Sequence, residues 1–391
     1  MAKIVRIVTR LNIGGPAIHT ILLSRGMTSA GYQTVLVAGA CEPDDGDMSY
    51  LVQQHDCIRW VPEMSRSVNP WRNLRALYHL VRLIRSERPL IVHTHTAMAG
   101  TLGRLAALIC GVPIIVHTFH GNSLRHYFSP LASRFFLYVE RALARVSDAI
   151  CVVAPQQLEE LSQHFRIAAR DKFRVVPLGL PLEPYLSIPE PPASPPPLVV
   201  GWFGRLVPVK NVPLLLAVAE EVLRRTDEVV FLVAGDGPER RALQQPAERF
   251  RGRIVWLGWQ RDLTPLLARC HLLLQTSLNE GTPLALIQGM AAGRPFLSTP
   301  VGGVLDMVSG PVLRNGAGCC WFANAVLAEA SPEAFAHALI EFSRNPAIIA
   351  DMGLKAREFA CAHYRQEALV HNLASLYEEL ISRKASSGCI G

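Results

Sequence analysis

Short apolar runs alternate with longer helix-like patterns almost from end to end of this chain, and that rhythm most narrows what it can fold into. Strand-like runs at 4–9, 34–38, 90–94, 113–118 and 149–153 are separated by helical patterns at 19–30, 70–86, 100–110 and 130–145. Strands spaced by helices pair in parallel through right-handed crossovers, so the pattern predicts a doubly wound α/β sheet. Nearly every strand position is apolar, as expected where helices cover both faces. The rhythm breaks at 187–197, SIPEPPASPPP, where six of eleven residues are proline. Such a run joins neither a helix interior nor a sheet and reads as a semi-rigid linker. Beyond it the alternation restarts, with strands at 198–203, 229–234, 254–257, 271–276 and 296–299. Helical patterns at 212–225, 239–249, 264–268, 283–292, 332–343 and 366–382 accompany them.

Two domains suit 391 residues, because a single core rarely serves more than about 250–300. The expected division is 1–186, the linker 187–197, 198–364, and a terminal segment 365–391 whose helix returns to the first domain. Half of the residues are hydrophobic and 18% are charged, which excludes a disordered chain. The opening MAKIVRIVTR lacks the uninterrupted apolar run of a secretory signal. The uncharged stretch between Arg104 and Arg125 carries Gly111, Pro113, His117, His120 and Gly121, so no membrane-spanning segment is expected. Nine cysteines without a Cys-x-x-Cys support neither a disulfide framework nor a zinc site, and point to a reducing cytoplasm.

The net charge of +7 is uneven. Residues 59–145 hold twelve arginines against Glu63, Glu87 and Glu140, a local balance of +9. Solvated helix faces account for this, and so does attraction to an anionic membrane surface or an acidic acceptor. Nucleic acid is not an expected partner, since the segment has no stacking pattern of aromatics.

Three junctions carry candidate chemistry. Gly14-Gly15, between the first strand and first helix, lets backbone amides approach a phosphate at a helix start, though a tight turn explains the same junction. Arg205 and Lys210 flank the loop after the first strand of the second domain. Two cations there can neutralise a diphosphate as it leaves; without an anion, the dipole of the next helix disfavours them. Glu280-Gly281-Thr282-Pro283-Leu284 leads into the most strongly punctuated helix, with Thr282 expected as N-cap and Pro283 at the first position. Free amides at 282–285 form an anion site of the helix-terminus kind, flanked by Glu280 and Gln288. A loop acid and a solvated helix residue describe the same two side chains.

In their order along the chain these junctions resemble retaining glycosyltransferase family 4, of the GT-B fold. Supporting motifs are His93-Thr94-His95, Val116-His117-Thr118-Phe119-His120-Gly121, Gly235-Asp236-Gly237-Pro238, Leu257-Gly258-Trp259, Gly289-Met290-Ala291-Ala292-Gly293-Arg294-Pro295 and Gly302-Gly303. The resemblance implies two Rossmann-like domains with parallel sheets facing a central cleft, the first on the acceptor side and the second binding a nucleotide sugar. It implies that Gly14 and Gly15 meet the donor phosphates, together with Arg205, Lys210 and the 282–284 segment. Glu280 would contact the transferred sugar, and Gln288 and Gly258 the ribose and base. His120 would approach the reacting centre, with His19, His93 and His95 on the acceptor side.

The family spaces two acids as Glu-x7-Glu, and here Gln288 holds the second place. An amide offers one carbonyl acceptor where a carboxylate offers charge-assisted bonds, a loss of about 1–2 kcal/mol of donor affinity. The expected activity is transfer of a hexose or N-acetylhexosamine from a nucleoside-diphosphate sugar, UDP-sugar favoured, to a polysaccharide, lipid-linked or other glycan acceptor. The expected place is the cytoplasm, peripheral on the inner membrane face. No metal and no cofactor are expected; Asp45-Gly46-Asp47 matches a metal-binding Asp-x-Asp but reads as a solvated acidic turn. Two alternatives remain: an impaired member that binds sugar nucleotide as a scaffold, and a sugar-nucleotide epimerase. A nicotinamide dehydrogenase is disfavoured, because no Gly-x-Gly-x-x-Gly follows a strand.

Overall fold

Strand β1 (Lys3–Arg10) buries Ile4, Val5, Ile7 and Val8 completely, so both of its faces are covered. It belongs to a sheet with β2 (Gln33–Gly39), β3 (Ile58–Trp60), β4 (Ile91–His95), β5 (Ile114–Phe119), β6 (Ala149–Val152) and β7 (Phe173–Val175). The order is β3-β2-β1-β4-β5-β6-β7, and every pairing is parallel. Helices α1 (Gly15–Ser29), α2 (Pro70–Glu87), α3 (Ala97–Ile109), α4 (Pro130–Val146) and α5 (Pro155–Glu159) connect these strands. This computed structural model describes residues 1–42, 46–53, 56–66, 69–121, 130–190, 197–241, 248–250 and 252–388.

The second sheet follows α6 (Glu183–Leu186) and comprises β8 (Leu198–Phe203), β9 (Val229–Ala234), β10 (Ile254–Trp256), β11 (Leu272–Gln275), β12 (Phe296–Ser298), β13 (Arg314–Gly316), β14 (Cys319–Trp321) and β15 (Ala325–Ala328). Its order is β10-β9-β8-β11-β12-β15-β14-β13, parallel except for the antiparallel pairs of β14 with β13 and β15. Helices α7 (Val212–Arg225), α8 (Thr264–Leu267), α9 (Leu284–Ala291), α10 (Pro332–Arg344) and α11 (Pro346–His363) accompany it. The core here joins Val200, Phe231 and Leu274 of the strands to Leu215, Val218 and Phe335 of the helices.

A last helix, α12 (Gln366–Ser386), packs back on the first sheet through Leu369, Leu373, Leu376 and Leu380, against Ile4, Leu23 and Met27. The chain therefore divides into one unit of Met1–Leu180 with Gln366–Gly391, and another of Pro181–Arg365. The first boundary falls earlier than the expected 186. Residues 185–189 are held by the second unit, where Arg357 donates to the Ile188 carbonyl (3.0 Å) and Arg294 to that of Pro189 (2.8 Å). Most of the proline run, at 191–196, lies outside the described residues, as does most of the helix expected over 239–249.

Both sheets reverse their winding at an interior strand: β1 lies between β2 and β4, and β8 between β9 and β11. Ligands of open α/β sheets bind beyond the strand carboxyl ends at such switch points. The loops after β1, β4 and β5 and those after β8 and β11 are where site residues should collect.

Candidate active site

In the second unit, the loop after β8 is fixed from below and behind. Leu206 N–H donates to Asp236 O (2.9 Å) and Gly204 N–H to Ala234 O (3.0 Å). Gly235, at φ +155°, is needed for this approach, because a Cβ there would stand 1.8 Å from the Gly204 carbonyl oxygen. Arg205 sits half-buried on the loop. Asn211 adopts left-handed geometry (φ 51°) and its side chain caps α7 at Leu214 N–H, which turns the chain directly after Lys210. Thr276, past the end of β11, donates its hydroxyl to Lys210 O (3.0 Å) and accepts the Trp202 indole N–H (3.1 Å).

These ties set Lys210 against Glu280. Lys210 Nζ donates to Glu280 Oε1 at 2.5 Å, and the same oxygen accepts from Ser277 Oγ (2.6 Å) and from Gln275 Nε2. Both charges are largely withdrawn from water, with 19% and 10% side-chain exposure, so the pair is firmly oriented. Glu280 Oε2 takes no hydrogen bond among the described residues and remains an acceptor, while two further ammonium protons of Lys210 remain donors. Gly302 (φ +50°) presses on the Glu280 backbone, where a Cβ would lie 2.0 Å from the carbonyl oxygen.

Helix α9 begins at Leu284 with Pro283 as N-cap, because Pro283 is extended (ψ 116°); Thr282 is therefore not the cap and Pro283 not the first helical residue. Pro283 also has no N–H, so the amides left without intrahelical partners at this end are those of Leu284 and Ala285. Gln288 donates through Nε2 to the Tyr185 hydroxyl of α6 (2.7 Å), and burial raises that phenol above its ordinary pKa. Gly258, whose carbonyl accepts from Gly235 N–H (2.8 Å), lies beyond β10, beside the Gly204–Leu206 loop support.

In the first unit the structure brings four predicted histidines together. Gly14 is the N-cap of α1 and Gly15 its first residue, and His19 follows one turn in, fully buried. His93 and His95 lie on β4, with rings stacked at 4.4 Å between centroids, and His120 follows β5. His95 Nδ1 and His120 Nε2 are 2.9 Å apart, and the rings of His19 and His120 meet edge to face at 4.8 Å. Burial, then the cations and histidines nearby, holds His19, His93 and His95 well below the usual imidazole pKa. His120 is lowered to about 3 by burial, with the Arg6 guanidinium adding to it. All four rings are neutral at pH 7. His93 is fully engaged, facing Tyr377 Oη at Nδ1 (2.6 Å) and Thr118 Oγ1 at Nε2 (2.7 Å), as a structural histidine would be. His117 is similarly bound to Thr94 Oγ1 (2.8 Å), deep in the core.

Sequence reasoning passed over Arg6, Tyr377, Gln275, Ser277 and Tyr185. Only Arg6 gave a signal: a cation in the middle of an apolar strand, completely buried in the fold.

His19, His95 and His120 place one ring nitrogen each within 4.8 Å, the spacing of a metal-ligand group. Their hydrogen bonding does not suit an ion. Arg6 Nη1 donates to His95 Nε2 (3.3 Å), so the His95 proton sits on Nδ1, and a metal there would require an imidazolate. Asp47, of the acidic turn, accepts from Ser49 N–H (2.7 Å) and Ser49 Oγ (2.8 Å) as a turn cap; Asp45 lies outside the described residues.

The arginine-rich segment is not all surface. Arg104 is buried in an ion pair with Glu140 (2.6 Å), and Arg72 and Arg141 donate to the carbonyls of Glu63 and Phe165. On α2, however, Trp71 (76% exposed), Leu74 and Tyr78 form an outward stripe flanked by exposed Arg75, Arg82 and Arg85. No helix among the described residues is long and apolar enough to cross a membrane.

Comparison with known proteins agrees with this geometry. Residues 13–184 match the family described as Glycosyltransferase Family 4, and residues 197–345 that described as Glycosyl transferases group 1. The chain is 28% identical over 264 residues to the UDP-Gal:alpha-D-GlcNAc-diphosphoundecaprenol alpha-1,3-galactosyltransferase of Escherichia coli, spanning 63% of this chain and 68% of that one. Its fold is similar to that of a sucrose-phosphate synthase from Thermosynechococcus elongatus (TM-score 0.81, 19% identity, 98% and 100% of the two chains). It is also similar to Anabaena HepE in complex with UDP and glucose (TM-score 0.77, 18% identity, 97% and 100%). With two doubly wound sheets, paired cations after β8 and an acid after β11, the chain belongs to glycosyltransferase family 4 and has the GT-B fold.

Proposed function

We propose that this protein transfers a hexose or N-acetylhexosamine from a nucleoside-diphosphate sugar to a glycan hydroxyl, with retention of configuration. The observation that carries the reading is the Lys210–Glu280 pair at the switch point of the second sheet, with Arg205 on the same loop as Lys210. A leaving diphosphate gains negative charge as its bond to the sugar C1 breaks, and fixed cations in a water-poor site stabilise that charge most. Arg205, Lys210 and the Leu284 and Ala285 amides supply the positive charge, and Glu280 Oε2 is left to accept from a sugar hydroxyl. The sequence offers no carboxylate pair assignable as nucleophile and acid, so front-face attack fits: the acceptor oxygen bonds to C1 on the side the diphosphate leaves. The acceptor's proton then goes to the departing phosphate oxygen. Protein cations take the place of a metal in this scheme.

A UDP-sugar is the favoured donor and a lipid-linked glycan the favoured acceptor, in keeping with the galactosyltransferase of Escherichia coli. The Trp71, Leu74 and Tyr78 stripe with its arginines is suited to an anionic membrane surface, at which such an acceptor is presented. The second reading, a sugar-nucleotide-binding scaffold, draws on Gln288, whose amide is engaged by Tyr185. A panel of nucleotide sugars incubated with chain and acceptor separates the two. Turnover in the presence of chelator, with the anomeric configuration of donor kept in the product by NMR, supports transfer. Binding without turnover of any donor supports the scaffold.

A further inference from the structure

Arg6 is completely buried on β1 and pairs with no carboxylate among the described residues. A buried cation without a counter-charge is costly, and an apolar residue would fill a strand position at no such cost. What Arg6 does hold is a set of neutral acceptors. Its Nε donates to Ser24 Oγ (3.2 Å), and its Nη1 donates to His93 Nδ1 (3.1 Å) and His95 Nε2 (3.3 Å).

A guanidinium only donates and does not lose its charge, so each ring nitrogen facing it must be bare. His95 Nε2 is therefore unprotonated, and its proton is on Nδ1. That N–H points at His120 Nε2, 2.9 Å away, which must accept it. The His120 proton is then confined to Nδ1, the ring nitrogen that has no partner among the described residues. The groups facing His120 are Arg6 from β1, His19 from α1 and His95 from β4, with His93 and His117 behind them; none is an anion.

We propose that Arg6 is a positioning residue which, through His95, locks His120 as an Nδ1–H hydrogen-bond donor, so that His120 orients a substrate hydroxyl and does not remove its proton. The assignment of a substrate to His120 rests on the transferase reading above; the tautomer chain does not.

The test uses the full chain with 15N-labelled histidine and reads imidazole proton–nitrogen correlations from pH 5.5 to 8. The expected wild-type result is His95 and His120 both protonated at Nδ1 alone, with no titration across the range. In Arg6→Met the His120 pattern should move toward Nε2–H or a mixture. Turnover should fall ~100-fold, the cost of roughly 1 Å of misplacement, with donor KM unchanged. Arg6→Lys, which still only donates, should restore the wild-type tautomer and most of the rate. An Nε2–H signal for His120 in the wild-type protein overturns the proposal without any variant having to fold. So does an Arg6→Met protein with wild-type tautomer and a wild-type pH profile. Absence of transfer activity with the expected spectra overturns the transferase reading and leaves the tautomer lock standing.

Discussion

At the scale of single residues, the proposed donor side is organised around one carboxylate oxygen. Glu280 Oε1 accepts from Lys210, Ser277 and Gln275, so its geometry is over-determined before any ligand arrives. Lys210→Ala should lower kcat/KM by about 10²–10³-fold, the usual cost of removing a preorganised donor from a developing anion; a loss under tenfold in steady-state assays speaks against a role at the phosphates. Gln288 makes the opposite prediction. Gln288→Glu should tighten nucleotide binding about 5–30-fold, since a carboxylate accepts ribose hydroxyls more strongly and can also accept from Tyr185. Unchanged or weaker binding by fluorescence titration would mean that the Tyr185 contact, not the ribose, sets this position. Residues such as Glu280 and Lys210 were legible because each stands beside glycines or proline in a loop after an apolar run. Their partners Gln275, Ser277 and Tyr185 were not, because a polar side chain near a strand end looks alike whether it braces a site or meets solvent.

At the scale of elements, most of the long helices and the central strands followed from periodicity, and the bounds of β8, α7 and β9 agree with the pattern residue for residue. Four of the three-residue strands did not: β3, β7, β13 and β14 are too short to show alternation and fall outside the regular strand–helix rhythm that located β10 and β12. The antiparallel β13–β14–β15 edge therefore came from the structure alone, as did α11. The element that closes the first unit is α12, and its leucines at 369, 373, 376 and 380 keep helical spacing against β1 and α1. Leu373→Ala should cost about 2–4 kcal/mol of unfolding free energy, measured by denaturant titration; a cost below 0.5 kcal/mol would show that α12 does not support that core. On α2, replacing Arg75, Arg82 and Arg85 by Glu should abolish salt-sensitive binding to anionic vesicles and leave turnover of a soluble acceptor unchanged. Binding equal to wild type would remove the membrane role from this helix.

At the scale of the whole molecule, two sheets with interior switch points place glycines, cations and an acid at strand carboxyl ends, which the alternation with the proline break already implied. The buried histidines give the molecule a pH signature. His19, His93, His95, His117 and His120 all have pKa values below that of an unfolded imidazole. The unfolded chain binds more protons, so stability is complete above about pH 6.5 and is lost as pH falls below it. Melting temperature should drop steadily between pH 6.5 and 5; a flat profile would mean these rings accept protons in the folded state. The measurement closest to the central claim is calorimetric titration of the chain with UDP. One UDP per chain, weakened at least ~100-fold by joint Arg205→Ala and Lys210→Ala replacement, is the result this account requires. No binding of any nucleoside diphosphate, or undiminished binding to the double variant, would contradict it.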